Sequence, residues 1–224
     1  MNDKQVLKKF ISAGVTFIDE DTAYVEEEVV IGEGTVIYPN VSLRGKTVIG
    51  KNCKIDSNSI IENTTIGDGV SVTASVLRGV TVKDEATVGP FAFLRDNAVV
   101  GKKCRVGDYV ELKNATLGDG TKVAHLTYIG DAVLGKDCNV GCGTVFANYD
   151  GKNKSFTTVG DRVFIGSNTN IVAPRTIGND VFLAAGGTIT QDIPDGAMVI
   201  ARARETIKEG RAIVYKKLKG MKLE

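Results

Sequence analysis

Aliphatic residues recur every six positions along this 224-residue chain, and this period limits its possible folds more than any other feature. A helix repeats every 3.6 residues and a plain strand every 2, so a period of six fits neither. Glycine often follows the aliphatic residue, as in Gly32, Gly50 and Gly101. The pattern predicts a hexapeptide-repeat solenoid with three short strands per coil, each with one aliphatic side chain facing inward. The three unbroken runs are Ile31, Ile37, Leu43, Ile49, Ile55 and Ile61; Val82, Val88, Leu94, Val100, Val106 and Leu112; and Val159, Ile165, Ile171, Ile177, Leu183 and Ile189.

The chain carries about 28 such repeats, which predicts roughly nine to ten coils. A solenoid must close its ends, and both termini carry candidate caps. Residues 4–12 predict a short amphipathic helix, and residues 205–219 predict a charged helix interrupted by Gly210. The inward side chains of the first helix are expected to be Val6, Leu7, Phe10 and Ile11.

Three segments follow from this division of the chain. Residues 1–20 are expected to form an N-terminal capping or linker helix, 21–204 the β-helix domain, and 205–224 a charged helical tail. The six-residue register breaks over residues 147–158, "ANYDGKNKSFTT", which predict a projecting loop with a turn at Asp150.

Three of the four cysteines share one slot of the repeat, two residues before an inward aliphatic: Cys53, Cys104 and Cys138. This slot favours a small buried side chain, so we expect free, structural thiols. Cys142 lies four residues after Cys138, a spacing that hints only weakly at a metal when no second pair exists. No metal site is therefore predicted.

Charge and hydropathy exclude several partners. The net charge of +1 provides no bulk attraction to nucleic acid or to a membrane surface. The first residues show no signal peptide, and no segment approaches the roughly 18 apolar residues of a membrane span. A reducing, cytoplasmic location is expected.

Several motifs resemble one family over residues 5–210: "AGVTFID", "GVTVKDEATVGPFAFLR", "VAHLTYIGDA", "NVGCGTVFANYDGKNK", "VFIGSNTNIVAP" and "AAGGTITQDIPDGAMVIARAR". They closely resemble the C-terminal half of the bacterial bifunctional enzyme of UDP-N-acetylglucosamine synthesis. That half is a glucosamine-1-phosphate N-acetyltransferase of the hexapeptide-repeat acyltransferases. The resemblance implies an all-β, left-handed parallel β-helix with short terminal helices. It also implies a homotrimer with active sites between subunits, acetyl-CoA as co-substrate, and no permanently bound cofactor.

The N-terminal half of that enzyme would carry a glycine-rich nucleotide loop on a Rossmann-like domain. No such fingerprint stands in these residues. Uridylyl transfer is therefore not expected of this chain, and a separate uridylyltransferase partner remains an open alternative.

His125 is the only histidine in the chain. Val123 occupies the inward slot and Ala124 the corner, so His125 is expected to point outward. The resemblance implies that His125 is the general base, which takes a proton from the attacking amine. Imidazole suits this task because its ordinary pKa is about 6.5. Glu111 matches the carboxylate that orients the imidazole.

The resemblance also assigns the substrate ligands. Matching the sugar-phosphate ligands are Arg95, Lys113, Tyr128, Asn139 and Lys154. Matching the acetyl-CoA groove are Cys142, Asn148, Tyr149, Ser167, Ala185 and Arg202. The chain departs from the family at three places, with Asp96 for Pro, Ala124 for Gly and Cys142 for Ala. The Cys142 position is expected to serve the thioester through its backbone N–H.

Three other functions stay open at this point. The acceptor could be another amino sugar or an amino acid, although three cationic side chains favour a phosphorylated sugar. A zinc carbonic anhydrase on the same coil would need three histidines per metal, and each subunit offers one. A non-catalytic scaffold or regulatory solenoid would release no coenzyme A with any amine.

Overall fold

The computed structural model describes residues 4–222, with side chains from residue 6 onward. Helix α1 (Lys4–Ser12) precedes a parallel β-solenoid of about ten coils, and helix α2 (Arg211–Leu218) follows it. The described strands stack into three faces, and two long strands, β16 (Arg105–Leu117) and β17 (Lys122–Leu134), run through all three.

The first face contains β1 (Thr16–Phe17), β4 (Val36–Ile37), β7 (Lys54–Ile55), β10 (Ser71–Val72), β13 (Thr87–Val88), β18 (Asn139–Val140), β21 (Phe164–Ile165), β24 (Phe182–Leu183) and β26 (Met198–Val199). The second contains β2 (Tyr24–Val25), β5 (Ser42–Arg44), β8 (Ile60–Glu62), β11 (Val76–Arg78), β14 (Phe93–Arg95), β19 (Val145–Ala147), β22 (Asn170–Val172) and β25 (Thr188–Ile189). The third contains β3 (Val30–Ile31), β6 (Val48–Ile49), β9 (Thr65–Ile66), β12 (Thr81–Val82), β15 (Val99–Val100), β20 (Thr157–Val159) and β23 (Arg175–Ile177).

The core is the column of inward aliphatic side chains that the six-residue period predicted. On the first face, for example, Ile37, Ile55 and Val72 are register partners and have no exposed surface. Each coil buries its apolar residues only against the coils above and below it. Replacing one of these isoleucines with alanine would cost about 2–5 kcal/mol.

The predicted cysteine slot is confirmed. Cys53, Cys104 and Cys138 are buried free thiols. Each Sγ donates to a carbonyl oxygen of the next coil, at 3.0–3.1 Å. A small side chain with a weak donor fits this position because a neighbouring backbone oxygen is close.

The terminal helices differ in how they meet the solenoid. Leu7 and Phe10 of α1 are buried in the first coil, but Ile11 is 40% exposed, so its predicted inward position is wrong. A nine-residue helix presents only a narrow stripe to the coil. Helix α2 begins after Gly210 and buries no residue, so it does not cap the solenoid within one chain. Among the described residues, neither helix is long and apolar enough to cross a membrane.

The predicted loop leaves the second face after β19 and returns at β20. Tyr149 and Lys154 form an isolated antiparallel bridge across it. Asp150 closes the turn, because its Oδ1 accepts the backbone N–H groups of Lys152 and Asn153.

Candidate active site

His125 lies in β17 at the corner between the first and second faces, with 55% of its side chain exposed. Val123 is fully buried, so the predicted register is confirmed. The imidazole Nδ1 lies 2.5 Å from Oδ1 of Asp108. This hydrogen bond lowers the pKa of Asp108, so the carboxylate is ionised at neutral pH and Nδ1 must be the donor. The imidazole Nε2 is then the nitrogen that can accept a proton.

The predicted contact between Glu111 and His125 is not formed. Glu111 lies on the second face, where its Oε1 accepts from Nε and Nη2 of Arg95 at 3.0 and 2.7 Å. Asp108 reaches the imidazole because it is the register partner of His125, 17 residues and one coil earlier. Counting back one coil along the corner is the signal that would have found Asp108 from the sequence.

Small side chains continue the His125 corner toward the C-terminus. Val123 is in register with the inward residues of β18, β21 and β24, so the residues two positions later stack in one ladder. The ladder consists of His125, Cys142, Ser167 and Ala185. The last three are exposed, and Arg202 lies one coil further. With coils about 4.8 Å apart, the ladder spans roughly 14 Å from His125 to Ala185.

Arg95 stands on the outer surface of the second face. Its Nε and Nη2 bind Glu111, and its Nη1 binds Oδ2 of Asp96 at 2.8 Å. Tyr128 is the register partner of Glu111 and lies directly above it. Two carboxylates thus hold the guanidinium fork, and an anionic ligand would compete with Asp96 for Nη1.

A buried carboxylate organises the corner between the second and third faces. Asp131 is 7% exposed, and Lys113 Nζ lies 3.3 and 3.4 Å from its two oxygens. Asn114 donates to Oδ1 at 2.7 Å, and Asn148 donates to Oδ2. Burial works to raise the pKa of Asp131, but these hydrogen bonds outweigh it and lower that pKa. Lys154 also lies close to Lys113, so two ammonium groups face this corner.

The sequence-predicted residues therefore divide between two edges of the second face. His125 lies at one edge, whereas Lys113 and Asn148 lie at the other. Tyr149 extends beyond the second edge in the loop. Asn139 lies on the first face, in register with β17 and β21, so it is not brought together with the second group.

The four thiols fall into two classes. Burial raises the pKa of Cys53 and Cys138, and it raises the pKa of Cys104 to about 11. These three thiols stay protonated and inaccessible at neutral pH, because the thiolate is the reactive form. Cys142 is exposed, one coil above His125.

Curated relatives named "Bifunctional protein GlmU" match most of this chain. The protein from Clostridium beijerinckii is 53% identical over 192 residues, 86% of this chain and 42% of its own length. The protein from Clostridioides difficile is 52% identical over 88% of this chain and 43% of its own length. The Synechococcus elongatus protein is 50% identical over 92% and 46%. The chain thus spans less than half the length of these relatives.

The fold has solved counterparts. A UDP-N-acetylglucosamine acyltransferase from Bacteroides fragilis matches with a TM-score of 0.57 and 20% identity, over 92% of this chain and 79% of that one. The counterpart from Campylobacter jejuni matches with a TM-score of 0.55 and 18% identity, over 81% and 70%. A family model described as the GMPPB C-terminal domain matches residues 76–166. The chain is a left-handed parallel β-helix, as the resemblance implied.

Proposed function

The chain belongs to the GlmU family, matching its C-terminal acetyltransferase half, and we propose that it transfers the acetyl group of acetyl-CoA to glucosamine-1-phosphate. The product is N-acetylglucosamine-1-phosphate, which serves UDP-N-acetylglucosamine synthesis. The match covers only the C-terminal half of GlmU, so the proposal concerns acetyl transfer alone. A cytoplasmic location suits both substrates.

The observation that carries this proposal is the Asp108–His125 pair at the base of an exposed ladder of small side chains. Acyl transfer to an amine requires a base that is neutral near pH 7 and free on one nitrogen. Asp108 occupies Nδ1 and leaves Nε2 for the substrate. A negative charge at this position also stabilises the imidazolium that forms during the reaction.

The proposed reaction proceeds in two steps. The amine nitrogen attacks the thioester carbonyl as His125 Nε2 takes its proton, and the backbone N–H of Cys142 donates to the developing oxyanion. The C–S bond then breaks, and His125 returns the proton to the coenzyme A thiolate. The proton thus moves from amine to sulfur through one imidazole, and the enzyme ends unchanged.

Charge supports a phosphorylated acceptor. Lys113 and Lys154 bring two ammonium groups together at one corner, and Arg95 stands on the adjoining face. Asp131 balances only one of the two ammonium groups, so a bound anion would reduce the repulsion between them. Tyr128 borders the same face and would contact the sugar. Asn139, on the first face, would reach the sugar of a neighbouring copy.

The ladder of small side chains supports acetyl-CoA as the acyl donor. Cys142, Ser167 and Ala185 form an exposed strip of small side chains, and a pantetheine arm is long, thin and poor in charge. Arg202 lies beyond its far end and would bind a phosphate of coenzyme A. Asn148 and Tyr149 would contact the donor from the opposite side.

A single chain separates the two halves of this site, which supports a homotrimer with active sites between copies. His125 and the ladder occupy one edge of the second face, and Lys113, Asn148 and Lys154 occupy the other. An apolar ridge beside His125 would suit contact with a second copy. The ridge consists of Phe91, Tyr109 and Leu126, which are 56–60% exposed.

The direct test measures thiol release from acetyl-CoA with glucosamine-1-phosphate, glucosamine and glucosamine-6-phosphate. We expect the 1-phosphate to give the highest kcat/KM. Preference for another amine would change the acceptor and keep the acetyl transfer. Release with none of these amines would instead favour a scaffold or regulatory solenoid.

Subunit complementation tests the shared site. The variants His125→Ala and Lys113→Ala should each be impaired alone, for loss of the base and of the phosphate ligand. Mixed trimers, made by refolding the two together, should regain activity when the two residues come from different copies. Light scattering should give three chains per particle. A monomer, or mixed trimers without regained activity, would contradict the shared site.

A further inference from the structure

Asp131 is a buried ionised group that the proposed chemistry does not use. We propose that it is a positioning residue that sets the acceptor-phosphate ligand Lys113 and the acyl-donor ligand Asn148 in one fixed arrangement. The inference rests on the proposed function, because it takes the roles of Lys113 and Asn148 from there. It adds a physical link between the two substrate subsites.

The three side chains that bind the Asp131 carboxylate are all donors. Lys113 presents an ammonium group, and Asn114 and Asn148 each present a side-chain NH₂ to the carboxylate. Only a side chain with two acceptor atoms satisfies all three, and an ionised carboxylate is that group. An isosteric asparagine would place its own NH₂ opposite at least one of these donors, and no hydrogen bond could form there. Lys113 and Asn148 could then not both keep their present positions.

The backbone also selects this residue. Asn114 and Asp131 have left-handed conformations, with φ of 47° and 48°. Asparagine and aspartate accept this region more readily than most other residues. With Asn148 in register one coil above, the corner forms a stack of amide, carboxylate and amide. Lys113 lies beside this stack, so its ammonium group is directed by the carboxylate.

A role through charge and a role through positioning predict opposite changes in the KM for glucosamine-1-phosphate in Asp131→Asn. If Asp131 acted only through its charge, its removal would leave Lys113 and Lys154 more attractive to phosphate, and the KM for glucosamine-1-phosphate would fall. If Asp131 acts by positioning, the same KM rises because Lys113 is no longer held. The direction of the change therefore separates the two.

The experiment compares Asp131→Asn with the wild-type trimer in steady-state kinetics and in calorimetric binding. We expect the KM for glucosamine-1-phosphate and the Kd of coenzyme A each to rise about tenfold, as for a lost hydrogen bond to a charged group. The KM for unphosphorylated glucosamine should change less. The matched control is Asp137→Asn, an exposed left-handed corner residue outside the site, which should leave all these constants unchanged.

A rescue variant separates positioning from general stability. The double exchange Asn114→Asp with Asp131→Asn moves the carboxylate one coil down and places an amide in the middle of the stack. That amide can donate to the moved carboxylate and accept from Asn148, and Lys113 can pair with the same carboxylate. This double variant should recover most of both losses. A residue with only a structural role would lower the melting temperature of Asp131→Asn without raising KM or Kd in the folded fraction.

Two results would overturn the inference. One is an Asp131→Asn protein that binds glucosamine-1-phosphate as tightly as the wild type or more tightly. The other is unchanged coenzyme A binding in that variant. Both are binding measurements, so they test the positioning role of Asp131 even if the wild-type protein transfers no acetyl group. Absence of transfer by the wild type would remove the proposed function instead.

Discussion

The coils before the candidate site and the coils that carry it share one architecture but treat their corners differently. In residues 24–100, here the regular coils, strands are two or three residues long and turns separate them. In residues 105–134, here the site coils, β16 and β17 each run unbroken for 13 residues through all three faces. The corner residues of the site coils therefore lie within strands, and their side chains stack in register on those of the next coil.

The residues in left-handed conformations show what this difference means. In the regular coils these positions are mostly asparagine and glycine, such as Asn40, Asn58 and Gly45, which accept the conformation at low cost. The site coils place Tyr109 and Leu126 there, with φ of 53° and 40°, and Phe91 comes one coil earlier at the same corner, with φ of 59°. Tyr109 directly follows Asp108 and Leu126 directly follows His125, so strain is stored beside the reactive pair. A solenoid can thus carry reactive side chains at its corners while the inward residues keep the six-residue period.

The largest expected effect tests the close approach of adjacent coils at Gly107, in the site coils. A Cβ at Gly107 would overlap the carbonyl oxygen of Ala124 in the next coil, whereas one at Gly79 in the regular coils meets nothing. Gly107→Ala should cost more than about 3 kcal/mol of unfolding free energy. Gly79→Ala should cost about 1–2 kcal/mol, from its positive φ alone. Urea unfolding measures both, and equal costs would contradict the close approach at Gly107.

The next effect is on the base itself. His125→Ala should lower kcat by about 10²–10⁴ while the KM of each substrate stays close to normal. The side chain is exposed, so the melting temperature should change little. Higher pH should restore part of the rate, because more of the amine is then deprotonated. A normal kcat of His125→Ala on glucosamine-1-phosphate would mean that His125 is not the base.

A variant of Asp108 tests whether His125 acts together with this carboxylate or alone. Asp108→Asn keeps an acceptor for Nδ1–H but removes the charge, so kcat should fall about tenfold. The KM of each substrate should change little, because Asp108 acts through His125 and not on the bound ground state. Glu111→Gln serves as the control and should change the KM for glucosamine-1-phosphate rather than kcat, because Glu111 binds Arg95. An unchanged kcat for Asp108→Asn would mean that this contact does not act in catalysis.

A variant of Asp96 tests whether its carboxylate competes with the substrate phosphate for Arg95. Removing this carboxylate frees Nη1 of Arg95, so Asp96→Ala should lower the KM for glucosamine-1-phosphate about two- to fivefold, the size of an exposed ion pair. Asp180→Ala is the control, since Asp180 also binds an arginine, Arg162, and also has a left-handed conformation, but on another coil. A fall in KM with both variants would indicate a general charge effect.

Cys142 should have the smallest effect. If it serves through its backbone N–H, Cys142→Ala should keep kcat within about twofold. A thiol reagent should label Cys142 alone in the folded protein, because the other three thiols are buried, and all four after unfolding. A large loss of rate in a folded Cys142→Ala protein would instead indicate an acyl-enzyme on the thiol.

Much of this architecture could be read from the sequence. A core with one aliphatic side chain per short strand leaves a six-residue period, and the three buried cysteines and the projecting loop follow from the same register. The outward position of His125 also follows, because Val123 occupies the inward slot. Ile11 was misjudged because local pattern does not specify which helix face meets the coil. The C-terminal helix, predicted from residue 205, begins only at Arg211, because Gly210 has a left-handed conformation that does not continue a helix.

The sequence by itself determined the repeat, the core and the family, because each depends on residues close together in the chain. The tertiary structure decided which side chains meet across coils. Asp108 and His125 are 17 residues apart, and Asp131 meets Asn114 and Asn148 only because three coils stack in register. Coil length sets these contacts, and a single-residue change in it would turn a corner residue onto another face. That is why Glu111 matched a motif while Asp108 made the contact.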